Sequence, residues 1–122
     1  MTITQYQEET KRTLPDLSSK MTSDTKLANE IHMVMGITTE TGEIVDPYKK
    51  HFAYGKVIDY VNVKEEIGDL MWYISNLCNL NDWNLEDILE TNINKLRARY
   101  PDKFDADLAI NRNLVKEKET LI

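Results

Sequence analysis

Val63, Ile67, Leu70, Met71, Ile74, Leu77 and Cys78 recur at spacings of three and four. Wound at about 100° per residue they fall on one apolar stripe. A strand cannot use that pattern, because its successive side chains alternate between two faces. Glycine and proline are scarce, with 4 Gly and 3 Pro, and no alternating run rich in Val, Ile and Thr is present. The expectation is an all-α bundle with about four core helices. At 122 residues and 41% hydrophobic content the chain reads as a single domain, residues 1–122, with a modest core.

Capping and breaking residues divide the chain. A short helix is expected from Thr4 to Thr13, followed by a linker with Pro15, Ser18 and Ser19 that ends by residue 23. A long helix should start at Asp24, a good N-cap, and run to about Asp46, where Pro47 kinks or ends it. Residues 47–60, with Gly55, read as broken helix and loop. A second helix opens at Asn62, with Glu65 as its capping-box partner, and reaches about Leu80. Asn84 with Asp87 offers a third start, and that helix ends before Pro101. The tail from Phe104 reads as one more short helix, with Lys116–Glu119 solvated and frayed.

Two acidic pairs lie on these helices, Glu40 with Glu43 and Glu66 with Asp69, each at i, i+3 and so pointing one way. Packed face to face, the two helices would gather four carboxylates. Like charges about 4 Å apart repel by about 1 kcal/mol in water, and by about 4 at an effective dielectric near 20. A cation removes that cost, and all-oxygen ligation suits Mg²⁺, with Mn²⁺ as a substitute. The plainer reading is a solvated face in a chain with 21 acidic residues.

The neighbours of the acids sharpen the choice. Glu66, Asp69 and Tyr73 run along the edge of the apolar stripe, where an acid is half-buried and needs a partner. Tyr73 and Trp72 could each stack on a base, but Trp72 lies opposite the stripe and reads first as packing or an oligomer contact. On the first long helix Leu27, Ile31, Val34, Thr38, Thr41 and Val45 form the expected buried side, and Asn29, His32, Gly36, Glu40 and Glu43 a separate strip. Gly36 and Gly42 each cost a helix about 1 kcal/mol relative to Ala. They make room either for a ligand or for close packing. His32 reads first as a structural histidine; its line with Asn29 and Glu40 also suits contact with a base or ribose. The third helix has Leu85, Ile88, Leu89, Ile93 and Leu96 on its core side, flanked by Asn92, Lys95 and Arg99. Those cations could balance an anion held by metal. Lys49, Lys50, His51 and Lys56 read as a solvated connector or as a gate over phosphates.

Composition excludes several functions. A net charge of −6 argues against nonspecific nucleic-acid binding. The sole cysteine, Cys78, rules out an internal disulfide, and its apolar neighbours make it an inert buried thiol. No run approaches the ~20 apolar residues of a membrane span, and the N-terminus lacks a signal-peptide core. A cytoplasmic protein without membrane or nucleic-acid partners is expected.

The stretches Gly36–Glu43, Glu65–Tyr73 and Asn92–Pro101, taken in order, resemble the MazG-like all-α nucleotide pyrophosphohydrolases. Tyr6-Gln7 and Arg12-Thr13 are similar to small stand-alone members. The resemblance implies Mg²⁺-dependent hydrolysis of a (deoxy)nucleoside triphosphate to monophosphate and pyrophosphate, cleaving between the α and β phosphates. It also implies assembly as a homodimer or homotetramer. Glu40, Glu43, Glu66 and Asp69 match the family's metal-binding acids, with Glu40 or Glu43 taking the proton of the attacking water. Lys95 and Arg99 match its phosphate contacts, and Asn92 is a polar contact beside them. Asn29, His32 and Tyr73 complete the expected substrate-binding set. Phosphoribosyl-ATP and dUTP pyrophosphohydrolases are the nearest alternatives. A noncatalytic, cation-stabilised helical oligomerisation module is the alternative of another class.

Overall fold

Most helices of this chain open on a cap supplied by their own flanking residue. The computed structural model describes residues 1–21 and 23–122; Thr22, near the end of the expected linker, lies outside them. Helix α1 spans Ile3–Thr10, and Thr2 and Gln5 form a capping box at its start. Short 3₁₀ turns follow at Lys11–Thr13 and Ser18–Lys20. Helix α2 spans Thr25–Tyr54, α3 Tyr60–Leu80, α4 Leu85–Arg99, α5 Ala106–Ile110 and α6 Leu114–Glu119. The fold is all-α, with no strand among the described residues. Asp24 caps α2 by accepting from the Leu27 N–H at 2.9 Å, and Asn84 caps α4 by accepting from Glu86 at 2.8 Å. Among the described residues no helix is long and apolar enough to cross a membrane.

Helix α2 departs from expectation. It does not stop at Asp46 but runs for 30 residues through a buried Pro47. The proline removes one N–H, yet a strong stop lies further on. Gly55 takes the left-handed conformation (φ +65°) and its N–H returns to the His51 carbonyl at 2.9 Å. A glycine enters that region without steric cost and so ends the helix there. The start of α3 also moves. Asp59, not Asn62, is the cap, accepting from the Val61 and Asn62 N–H groups at 3.1 Å each.

The chain divides into two compact units, Met1–Trp83 and Asn84–Ile122. In the first, α2 packs on α3, and α1 lies across α3. Polar side chains make the second contact. Gln7 donates to Asn79 at 3.0 Å and to the Trp83 carbonyl at 2.6 Å; Asn79 returns a bond to the Gln7 carbonyl at 2.9 Å. Asn76 donates to the Thr10 carbonyl at 3.1 Å. Ser75 and Asn76 are completely buried, so the face of α3 opposite its apolar stripe is an interior surface.

The expected buried side of α2 is the open one. Leu27, Ile31, Val34 and Val45 are all exposed, as is Ile67 on α3, whereas Ala28, Met33 and Gly36 are buried. Periodicity predicts that such a stripe will be covered, but a single chain leaves it uncovered. In the second unit Leu85 is buried, while Ile88, Leu89 and Ile93 are exposed against expectation.

The last helix is not frayed solvent-facing chain. Glu117 is 3% exposed and takes Arg99 Nε at 2.7 Å and Arg112 Nη2 at 2.6 Å. Hydrogen bonds from Arg99 and then Arg112 hold its carboxyl down to about 2.

Candidate metal and substrate site

Glu40 projects from the middle of α2, and Glu66 and Asp69 from the second and third turns of α3. Because α2 and α3 pack along their length, the acidic turns meet. One carboxylate oxygen from each of the three residues lies within 4.8 Å of the others. Glu40 and Glu66 are half-buried and Asp69 is exposed, so the cluster sits at a mouth rather than in the core. Glu66 is steadied by Asn62, which donates to its Oε1 at 2.7 Å. Glu43, one turn beyond Glu40, stands outside this ring. Its charge still bears on Glu40.

Electrostatics disfavour a charge on Glu40. Burial pushes the Glu40 carboxyl above the usual range, and a hydrogen bond with Glu66 and the charges of Asp69, Glu66 and Glu43 push the same way. A divalent cation would reverse every one of the charge effects. Ligands on octahedral Mg²⁺ at about 2.1 Å lie roughly 3 to 4.2 Å apart. Oxygens already within 4.8 Å of each other need only small side-chain rotations to reach that spacing. The donor set, all carboxylate, fits a hard cation.

The acids face an open cleft of about 330 Å³ lined by Thr13, Glu40, Asp69, Trp72 and Tyr73. The Tyr73 ring lies directly on the backbone of Gly36, where an added Cβ would sit under 3.0 Å from it. His32 and Trp72 flank it edge-on, with centroids at 5.9 and 4.9 Å. Gly36 thus serves close helix packing that brings an aromatic ring to the cleft. Trp72 is half-buried rather than exposed, and its Nε1 donates to Thr13 at 2.8 Å.

The other expected site residues are placed as follows. His32 touches Tyr73, and its Nδ1 is buried with no hydrogen-bond partner among the described residues. Asn29 is used structurally: it accepts from the Leu17 N–H and donates to Asp16 at 3.0 Å, holding the linker. Asn92, Lys95 and Arg99 belong to the second unit. There Arg99 is already forked onto Glu117. Thr13 was not among the expected site residues, and Trp72 was expected first as packing, with stacking on a base second. The spacing of Trp72 three residues after Asp69 was the available signal; for Thr13 only its similarity to stand-alone relatives hinted at a role.

Residues 28–104 match the family model described as the MazG nucleotide pyrophosphohydrolase domain. The chain is also similar to the Gene 37 protein of Mycobacterium phage L5, at 36% identity over 72 residues. That alignment covers 56% of this chain and 63% of the phage protein. No solved structure matches significantly.

Proposed function

This chain belongs to the MazG nucleotide pyrophosphohydrolase domain family, and we propose that it hydrolyses a nucleoside triphosphate to monophosphate and pyrophosphate with Mg²⁺. The observation that carries the reading is the meeting of Glu40, Glu66 and Asp69 at the mouth of an aromatic-walled cleft. A triphosphate cannot approach three carboxylates unaided, so the substrate and the acids both call for a cation.

Glu40, Glu66 and Asp69 would hold that cation, with Glu43 adding a fourth carboxylate beside them. When bound it supplies positive charge against the phosphates and Lewis acidity at the reacting phosphorus. Glu40 or Glu43 accepts the proton of the attacking water, and pH–rate profiles of Glu40→Gln and Glu43→Gln identify which. Lys95 and Arg99 are assigned to the departing pyrophosphate, with Asn92 beside them. Arg99 is forked onto the Glu117 carboxylate, so this role requires it to exchange that carboxylate for phosphate, the other oxyanion its planar fork can grip.

We also propose self-association, because the α2 face from Leu27 to Val45 is apolar and uncovered. That same observation favours the second reading, a cation-stabilised oligomerisation module without catalysis. A panel of nucleoside triphosphates, phosphoribosyl-ATP and dUTP included, at fixed Mg²⁺ with pyrophosphate detection separates the readings. Glu66→Gln and Asp69→Asn should abolish turnover with an unchanged helical spectrum. Near-full Mg²⁺-dependent activity in either variant refutes the assignment.

A further inference from the structure

Beside the acidic cleft lies a second hollow, of about 490 Å³, lined by residues that include Gln5, Tyr6, Glu9, Arg12, Thr13 and Trp72. The two hollows share Thr13 and Trp72, and the 2.8 Å bond from Trp72 Nε1 to Thr13 is the saddle between them. Except for Trp72, every residue lining the second hollow comes from α1 and the turns around it, ahead of the matched domain at residue 28. Tyr6 ties this segment to the acidic turn itself, donating to the Gly68 carbonyl at 3.2 Å, next to Asp69.

We infer that this N-terminal segment builds the nucleoside seat: with phosphates over Glu40, Glu66 and Asp69, the base occupies the second hollow against the Trp72 ring. The inference rests on the pyrophosphohydrolase reading and extends it. The lining chooses nucleoside over phosphate. Its one arginine is matched by one glutamate, so its side chains offer no net positive charge to a phosphate chain. It offers instead an indole, a phenol and a set of polar groups suited to the edge of a base. Stacking on an aromatic side chain tolerates any base. Discrimination among bases therefore falls to Gln5, Glu9 and Arg12, whose donors and acceptors differ.

The two tryptophans, Trp72 and Trp83, allow a direct test. Trp83 lies outside both hollows, so Trp83→Phe leaves Trp72 as sole reporter. With Mg²⁺, α,β-methylene nucleoside triphosphates should quench its emission. Tripolyphosphate, at concentrations that displace the analogue, should leave it unquenched. Arg12→Met should then change KM unequally among the bases, by several-fold for at least one, with kcat nearly constant. Equal quenching by tripolyphosphate overturns the seat, as does a uniform effect of Arg12→Met. Hydrolysis of a triphosphate whose analogue causes no quenching overturns the seat alone and leaves the activity standing. Absence of both hydrolysis and quenching removes the two together.

Discussion

Gly36→Ala and Gly42→Ala should shift stability in opposite directions, although both glycines lie inside one helix. A Cβ at Gly42 meets nothing within 4 Å. Replacement there gains about 0.5–1 kcal/mol of helix propensity. At Gly36 the same gain is set against the Tyr73 ring, which would lie under 3.0 Å from the new atom, where ordinary contact needs 3.4–4 Å. The ring must retreat by roughly 1.5 Å while wedged between His32 and Trp72, and overpacking of this kind costs about 1–3 kcal/mol. With the upper half of that range, the net loss is about 1–2 kcal/mol. For a chain of this length that is a fall in Tm of about 4–8 °C, against a rise of about 2–4 °C for Gly42→Ala. Thermal melts at one protein concentration read both shifts. In a Tyr73→Ala background the clash is gone, so Gly36→Ala should become stabilising there. Wild-type stability or better for Gly36→Ala alone would refute the packing argument.

Mg²⁺ at 100 times its dissociation constant should raise stability by about 2.7 kcal/mol, and Asp69→Asn should lose most of that rise; equal metal-induced Tm shifts would sink the three-acid site. Glu117, whose carboxyl is held down to about 2 by Arg99 and Arg112, contributes stability that is complete above the ordinary carboxylate range near 4.5. That contribution is lost as pH falls from there toward 2. The Tm gap between wild type and Glu117→Gln should therefore close over that interval and stay constant above it. Val34, exposed in a groove of about 550 Å³ with Leu27, Ile31 and Met35, should tolerate Asp in the monomer but not in an assembly. Light scattering should show a smaller mass for Val34→Asp, and a monomeric wild type at high concentration contradicts the expectation.

What could be read from residue order was local. Asp24 and Asn84 are legible as caps because a cap is a bond between a side chain and a backbone N–H two or three residues away. The meeting of Glu40, Glu66 and Asp69 was legible for a related reason, since i, i+3 spacing fixes direction on a helix; that Glu43 stands outside the group was not, because it depends on how the two helices pack. Pro47 misleads because the rule counts the lost hydrogen bond and not the burial of the ring or the stronger stop at Gly55. The docking of α1 was beyond reach. It depends on partners up to 76 positions apart, such as Gln7 with the Trp83 carbonyl, and on polar groups that read as solvent-facing. Periodicity also identified Leu27, Ile31 and Val34 as a stripe without saying that this chain leaves it open.

The interlocked amides of Gln7 and Asn79 bear on where this protein can be cut. Similarity to the family begins at residue 28, yet Ser75 and Asn76 are completely sheltered, and Asn76 takes its partner, the Thr10 carbonyl, from before that boundary. A fragment trimmed to the matched region would leave Asn76, Asn79 and Trp72 without the partners that Gln7, Thr10 and Thr13 supply, and would bare those amides and an indole to water. The matched region is thus shorter than the set of residues that closes the buried polar face of α3.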